Sequence, residues 1–136
     1  MTTARDIMTK GADFVDSNTT VLDVAKRLAS EDYGSLPICD GDKLKGMITD
    51  RDIVVKVLAE GRDPATTKVI DLVQGEVVTI GADDSVEEAA RTMAKHQVRR
   101  LPVIDGTKLV GMVAQADLAL TDNDRLAGDT VEEISK

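Results

Sequence analysis

Gly46-Met47-Ile48-Thr49-Asp50-Arg51-Asp52 (GMITDRD) returns later in the chain as Gly111-Met112-Val113-Ala114-Gln115-Ala116-Asp117 (GMVAQAD). The glycine, the methionine and the closing aspartate are kept, while Ala114 stands where the first copy has Thr49. The recurrence extends outward at one fixed offset without a gap. Asp6 aligns with Asp71, Val21 with Val86, Ala25 with Ala90 and Ala29 with Ala94. Leu36-Pro37 aligns with Leu101-Pro102, Asp40-Gly41 with Asp105-Gly106, and Lys43-Leu44 with Lys108-Leu109. So long a match marks an internal duplication, and a repeat of this kind constrains the fold before any single element is assigned.

Each copy reads as the same run of elements. Val21, Val24, Ala25, Leu28 and Ala29 recur at helical spacing, as do Val86, Ala89, Ala90, Met93 and Ala94. Both helices open on capping chemistry, Thr20 with Asp23 and Ser85 with Glu88. Leu36 to Cys39, a tight turn at Asp40-Gly41-Asp42, and Leu44 to Ile48 predict two paired strands with a proline near the start of the first. Leu101 to Ile104 and Leu109 to Val113 repeat the pattern. A second helix is expected from Asp52 to Leu58, ended by Gly61, and a shorter one from Asp117 to Leu120. Phe14-Val15 and Val77 to Ile80 are candidates for an added edge strand. The expected class is α+β, two β-α-β-β-α motifs related by a pseudo-twofold axis and sharing a core that neither would fill alone. The first motif spans 1–61, a polar linker 62–68, the second motif 69–120 and a tail 121–136, in which Asp129-Thr130 would start a short helix.

Composition narrows the function. The 136 residues carry a formal net charge of −8, which disfavours nucleic acid as a partner. With one Phe, one Tyr and no Trp, there is almost nothing on which bases would stack. No apolar run reaches the roughly 20 residues of a membrane span, and the opening residues lack a signal-peptide pattern. Cys39 is the single cysteine and His96 the single histidine. That excludes an internal disulfide, leaves too few N/S ligands for a usual zinc site, and fits a reducing cytoplasm. No nucleophile–base pair or carboxylate dyad with catalytic spacing is present, so an enzyme is not expected.

The alanine-rich first helices, the block LPICDGDKLKGMITDRDIV and its partner RRLPVIDGTKLVGMVAQADLA resemble the CBS (cystathionine β-synthase) motif. The tandem resembles a CBS pair, or Bateman module, over about residues 4 to 120. The resemblance implies a regulatory module that binds an adenosine-containing ligand (AMP, ADP, ATP or S-adenosylmethionine) in clefts between the motifs, signals to a protein partner and dimerises. No cofactor is required on that reading. Fold alone does not assign a ligand, so the residues must carry it.

Thr49 and Asp52 fall where a strand ends and a helix begins. Free amides and the positive end of the helix dipole suit a phosphate there, the hydroxyl adds a donor, and the carboxylate can accept from ribose hydroxyls. They match the family pattern of glycine, two apolar residues, threonine or serine, two variable residues and aspartate. Thr-x-x-Asp at such a junction is equally an ordinary capping arrangement. The second copy keeps Asp117, lacks the hydroxyl, and has Arg99-Arg100 where the first has Gly34-Ser35. In the family a basic residue at that point often reaches a ligand phosphate, and arginine's fork of donors suits it; a solvated charge pair is the competing reading. Arg51 and His96 read as surface residues, Cys39 as a small buried hydrophobe, and Met47 and Met112 as core or adenine-flanking. A CBS dimer without ligand, acting through protein contacts, is the alternative function. Dimerisation is expected on either reading, from apolar surface on the first helices.

Overall fold

The computed structural model describes residues 1–11, 13–31 and 34–119. The helix expected in the tail lies outside them. In chain order the elements are α1 (Ala4–Ile7), β1 (Thr9–Lys10), β2 (Val15–Asp16), α2 (Val21–Glu31), β3 (Ser35–Asp40), β4 (Lys43–Thr49) and α3 (Asp50–Ile53). A π-helical turn (Val54–Leu58) and a 3-10 turn (Val69–Leu72) follow, then β5 (Ile80–Gly81), α4 (Val86–His96), β6 (Arg100–Asp105), β7 (Lys108–Ala114) and α5 (Gln115–Ala119). The class is α+β, and the described residues form two compact units.

The first unit spans residues 13–77. β3 and β4 pair antiparallel from Ser35↔Thr49 to Asp40↔Lys43, with a bulge between Ile38 and Cys39. Gly41 leads the connecting turn at φ +66°, a conformation that glycine adopts without steric cost. β2 lies parallel to β3, matching Val15 to Ile38 and Asp16 to Cys39. That pairing starts beyond Pro37, so the missing proline N–H interrupts no bond to β2. Thr20 Oγ1 accepts the Asp23 N–H at 3.3 Å, opening α2 as its capping chemistry predicts. The apolar face of α2, Val21, Val24 and Leu28, packs with Leu36, Ile38, Ile48, Ile53 and Val57. Each such side chain contributes roughly 1.5–3 kcal/mol on burial.

The second unit repeats this design from residues 78–119 and adds residues 1–11. β6 and β7 pair from Arg100↔Ala114 to Asp105↔Lys108, with a bulge at the equivalent place, between Val103 and Ile104. β5 runs parallel to β6. Ser85 Oγ accepts the Glu88 N–H at 3.1 Å at the start of α4. Val86, Ala89, Ala90 and Met93 fill a core with Leu101, Val103, Val113 and Leu118.

The compact units differ from the sequence motifs at their edges. Ala4 belongs to the second unit's core, and Ala4 N–H and Arg5 N–H donate to Asp84 O and Ala82 O at 2.8 and 2.9 Å. β1 pairs antiparallel with β7. Val69 and Leu72 belong to the first unit's core, and Val69 N–H donates to Thr19 O at 2.9 Å. The segment leading into each motif therefore packs on the other repeat, because its few apolar side chains complete that core.

Two further differences from the sequence reading have physical causes. The helix expected from Asp52 to Leu58 begins at Asp50 and loosens into a π-helical turn, with Ala59 N–H donating to Val54 O at 2.9 Å. Val54, Val55 and Val57 crowd the preceding turn as β-branched residues do, and a widened turn relieves that. Apolar surface is also not where the sequence put it. Val21, Val24, Val86, Ala89 and Met93 of the first helices are buried, whereas Val54, Val55 and Leu58 are 45–58% exposed.

Candidate functional site

The repeated phrase lands at the same structural point in each unit, the end of a hairpin strand running directly into a helix. In the first unit Thr49 and Asp52 close a capping box. Thr49 Oγ1 accepts the Asp52 N–H at 3.0 Å, and Asp52 Oδ2 accepts the Thr49 N–H at 3.0 Å. Both residues are half-buried. The hydroxyl thus has a structural task, and the capping reading of Thr-x-x-Asp is realised.

In the second unit half of that box survives. Asp117 Oδ2 accepts the Ala114 N–H at 2.6 Å, the counterpart of the Asp52–Thr49 bond. Ala114 has no oxygen to return the bond. Asp52 and Asp117 therefore share one placement, half-buried, with one carboxylate oxygen pinned to the backbone of the residue three before it.

Arg99 and Arg100 stand beside Asp117's junction. Arg100 is paired in register with Ala114, and Arg99 O accepts the Gln115 N–H at 2.9 Å. The first unit makes the same backbone bond between Asp50 N–H and Gly34 O, at 3.1 Å. Arg99 is exposed and Arg100 half-buried. The five residues singled out from sequence thus fall into two groups: Thr49 with Asp52 in one unit, and Asp117 with Arg99 and Arg100 in the other.

The glycine of the phrase serves packing. A Cβ on Gly46 would lie 2.7 Å from Val73 Cγ2, and one on Gly111 would lie 2.6 Å from both Thr9 O and Met8 Sδ. Each glycine lets the segment that leads into a motif press onto the strand. Met112 is buried and Met47 half-buried, while Arg51 and His96 are exposed. Cys39 is fully buried, and desolvation with the nearby Asp42 charge pushes its thiol up to about 11. That is an unreactive cysteine at neutral pH.

Two residues here were missed in the sequence. Lys56 Nζ lies 3.3 Å from Asp52 Oδ1, and their i,i+4 spacing was a readable signal. Gln115 Nε2 is buried without a hydrogen-bond partner, and nothing in the sequence marks it.

Comparison with known proteins bears on these junctions. A family model described as the CBS domain matches residues 4–59 and again 69–124. The chain is 47% identical over 120 residues to Hypoxic response protein 1 of Mycobacterium tuberculosis, covering 88% of this chain and 84% of that one. A crystal structure of Hypoxic Response Protein I with two coordinated zinc ions superposes at TM-score 0.82 and 46% identity, covering 88% of this chain and 98% of the other. CBSX2 in complex with AMP matches at TM-score 0.76 and 26% identity, over 88% and 94% of the two chains. The CBS domain pair of protein MJ0100, in complex with 5-methylthioadenosine and S-adenosyl-L-methionine, matches at 0.72 and 31%, over 87% and 97%. Among the described residues here, no group of three or more His, Cys, Asp or Glu is arranged to hold a metal ion. Nor, among them, is any helix long and apolar enough to cross a membrane. With its duplicated hairpins, its paired aspartates and both halves matched by one model, the chain belongs to the CBS-domain family as a tandem of two CBS repeats.

Proposed function

We propose that this chain is a non-catalytic regulatory CBS pair that binds an adenosine-containing ligand, AMP, ADP, ATP or S-adenosylmethionine, and passes its occupancy to a protein partner in the cytoplasm. The observation that carries the reading is the matched placement of Asp52 and Asp117. In each repeat a half-buried carboxylate is held by one backbone N–H, at 3.0 and 2.6 Å, and retains acceptor capacity. A ribose diol, with two adjacent hydroxyl donors, is the ligand group such a carboxylate recognises. Thr49 in the first repeat, and Arg99 and Arg100 in the second, would serve the phosphate or the methionyl end. The relatives solved with AMP and with S-adenosyl-L-methionine support the ligand class. Binding shifts a conformational equilibrium only through unequal affinity for its states.

Two observations favour a second reading, a CBS dimer that works through protein contacts alone. Thr49 and Asp52 already satisfy each other, and an apolar strip of Val54, Val55 and Leu58 is exposed. That strip also supports homodimerisation under either reading. Thermal unfolding against AMP, ADP, ATP, S-adenosylmethionine and a guanosine control separates the two. Ligand at a hundred times its Kd adds about 2.7 kcal/mol, a shift expected with at least one adenosyl compound and reduced in Asp52→Ala or Asp117→Ala. Absence of any shift would sink the ligand reading and leave the interaction module.

A further inference from the structure

Lys56 occupies the middle of the π-helical turn and makes two contacts of different kinds. Its Nζ donates to Leu72 O at 3.2 Å and lies 3.3 Å from Asp52 Oδ1. Leu72 ends the 3-10 turn Val69–Leu72, where a carbonyl lacks a partner within the turn and a cation is favoured. The ammonium is therefore anchored to the main chain on one side and to the carboxylate on the other. Asp52 is then held at both oxygens, Oδ2 by the Thr49 N–H and Oδ1 by Lys56.

An ionised carboxylate offers about four acceptor positions, two per oxygen. With one on each oxygen engaged, one on each remains. That pair is complementary to two neighbouring hydroxyls. In sequence register Lys56 corresponds to Thr121, which carries no ammonium.

We propose that Lys56 is a positioning residue for Asp52: it fixes the carboxylate for bidentate recognition of a vicinal diol and ties it to the 3-10 turn at Leu72. The inference rests on the ligand reading above and assigns the sugar selectivity of the first repeat. A helical i,i+4 ion pair with no further role would add a little stability and leave sugar preference untouched.

The test measures Kd for adenosine and 2′-deoxyadenosine by calorimetry, first on the unmodified protein and then in an Asp117→Ala background, where binding reports the first repeat. Lys56→Met and Lys56→Arg are compared in that background, with thermal unfolding of each confirming that it folds. The expected result is that Lys56→Met weakens adenosine binding about fivefold and compresses the ribose over deoxyribose preference by a similar factor, the size of a partly exposed charge contact. Lys56→Arg restores both. If Lys56→Met lowers the melting temperature but leaves the preference unchanged, the positioning role is wrong and the ligand reading stands. Binding by the unmodified protein that vanishes in Asp117→Ala alone also overturns the inference, because the first repeat then holds no nucleoside. No binding of either nucleoside by the unmodified protein overturns the inference, while the ligand reading is judged separately by the melting shifts with AMP, ADP, ATP and S-adenosylmethionine.

Discussion

Replacing Thr49 by alanine copies into the first repeat what the chain already has in the second, and the structure gives the cost. The mutation deletes the Oγ1 acceptor of the Asp52 N–H at 3.0 Å. It spares the reciprocal bond from the Thr49 N–H to Asp52 Oδ2, which uses only backbone at position 49. Loss of an N-cap side chain costs about 0.5–2 kcal/mol. With half the box intact, the expected loss is about 1 kcal/mol, or roughly 4 °C in melting temperature for a chain of this size. Thr49→Ser retains the oxygen and is expected within a few tenths of a kcal/mol of the parent.

The assay is urea unfolding without ligand, repeated with saturating AMP. If the hydroxyl caps and also touches ligand, Thr49→Ala is less stable in both series and the AMP increment shrinks as well. If it only caps, the two series fall by the same amount. Ala114→Thr is the reciprocal experiment and is expected to add about 0.5–1 kcal/mol by completing the box around Asp117. A Thr49→Ala protein whose unliganded stability stays within about 0.3 kcal/mol of the parent would refute the capping assignment, since no N-cap oxygen of this geometry is so dispensable.

Two further outcomes follow from the packing and the charges. Gly111→Ala is expected to cost about 2–3 kcal/mol and Gly46→Ala about 1–2 kcal/mol in chemical denaturation, because overpacking is relieved less easily by backbone than by side chain; a Cβ at 111 meets Thr9 O at 2.6 Å, whereas one at 46 meets only Val73. The Thr3 N–H and hydroxyl, donating to Asp6 Oδ2 at 2.9 and 3.0 Å, hold that carboxyl below its ordinary value of 3.8. A lowered folded-state value contributes stability above pH 3.8 that is lost as pH falls through the folded-state value, so unfolding stability is expected to fall by a small step on acid titration, a step that Asp6→Asn removes from the stability–pH profile.

Much of this architecture was legible because the duplication supplied its own control. A capping pair at Thr20-Asp23 is a weak signal alone, but its return at Ser85-Glu88 made both helix starts readable, and the observed caps agree. The hairpins were marked by Asp-Gly turns, and Gly41 and Gly106 both adopt positive φ. What stayed hidden were relations between distant residues. Ala4 and Val69 are apolar in short segments, and nothing in such a segment says which repeat's core it completes. The Lys56–Asp52 spacing was open to reading, but its second anchor is a backbone carbonyl 16 positions away, and backbone acceptors carry no sequence signature. The need for glycine at 46 is also a relation between distant residues, since Val73 presses on it from a segment assigned to the other motif.

The lost hydroxyl can then be understood from what each junction must satisfy. A helix start needs its first N–H groups paired or solvated, and each aspartate supplies the indispensable half by accepting from the residue three before it. The threonine completes the box in the first repeat, where Asp52 also carries Lys56 and is constrained on both oxygens. In the second repeat the aspartate bond is shorter, 2.6 Å, and a pair of arginines stands at the neighbouring strand start. Alanine at 114 costs the fold about one cap bond, the one that a side-chain oxygen there would accept from the Asp117 N–H. Retention of both aspartates, against divergence at Thr49/Ala114, at Lys56/Thr121 and at Gly34-Ser35/Arg99-Arg100, is the pattern expected if the carboxylates have a shared task and their surroundings tune two separate ones.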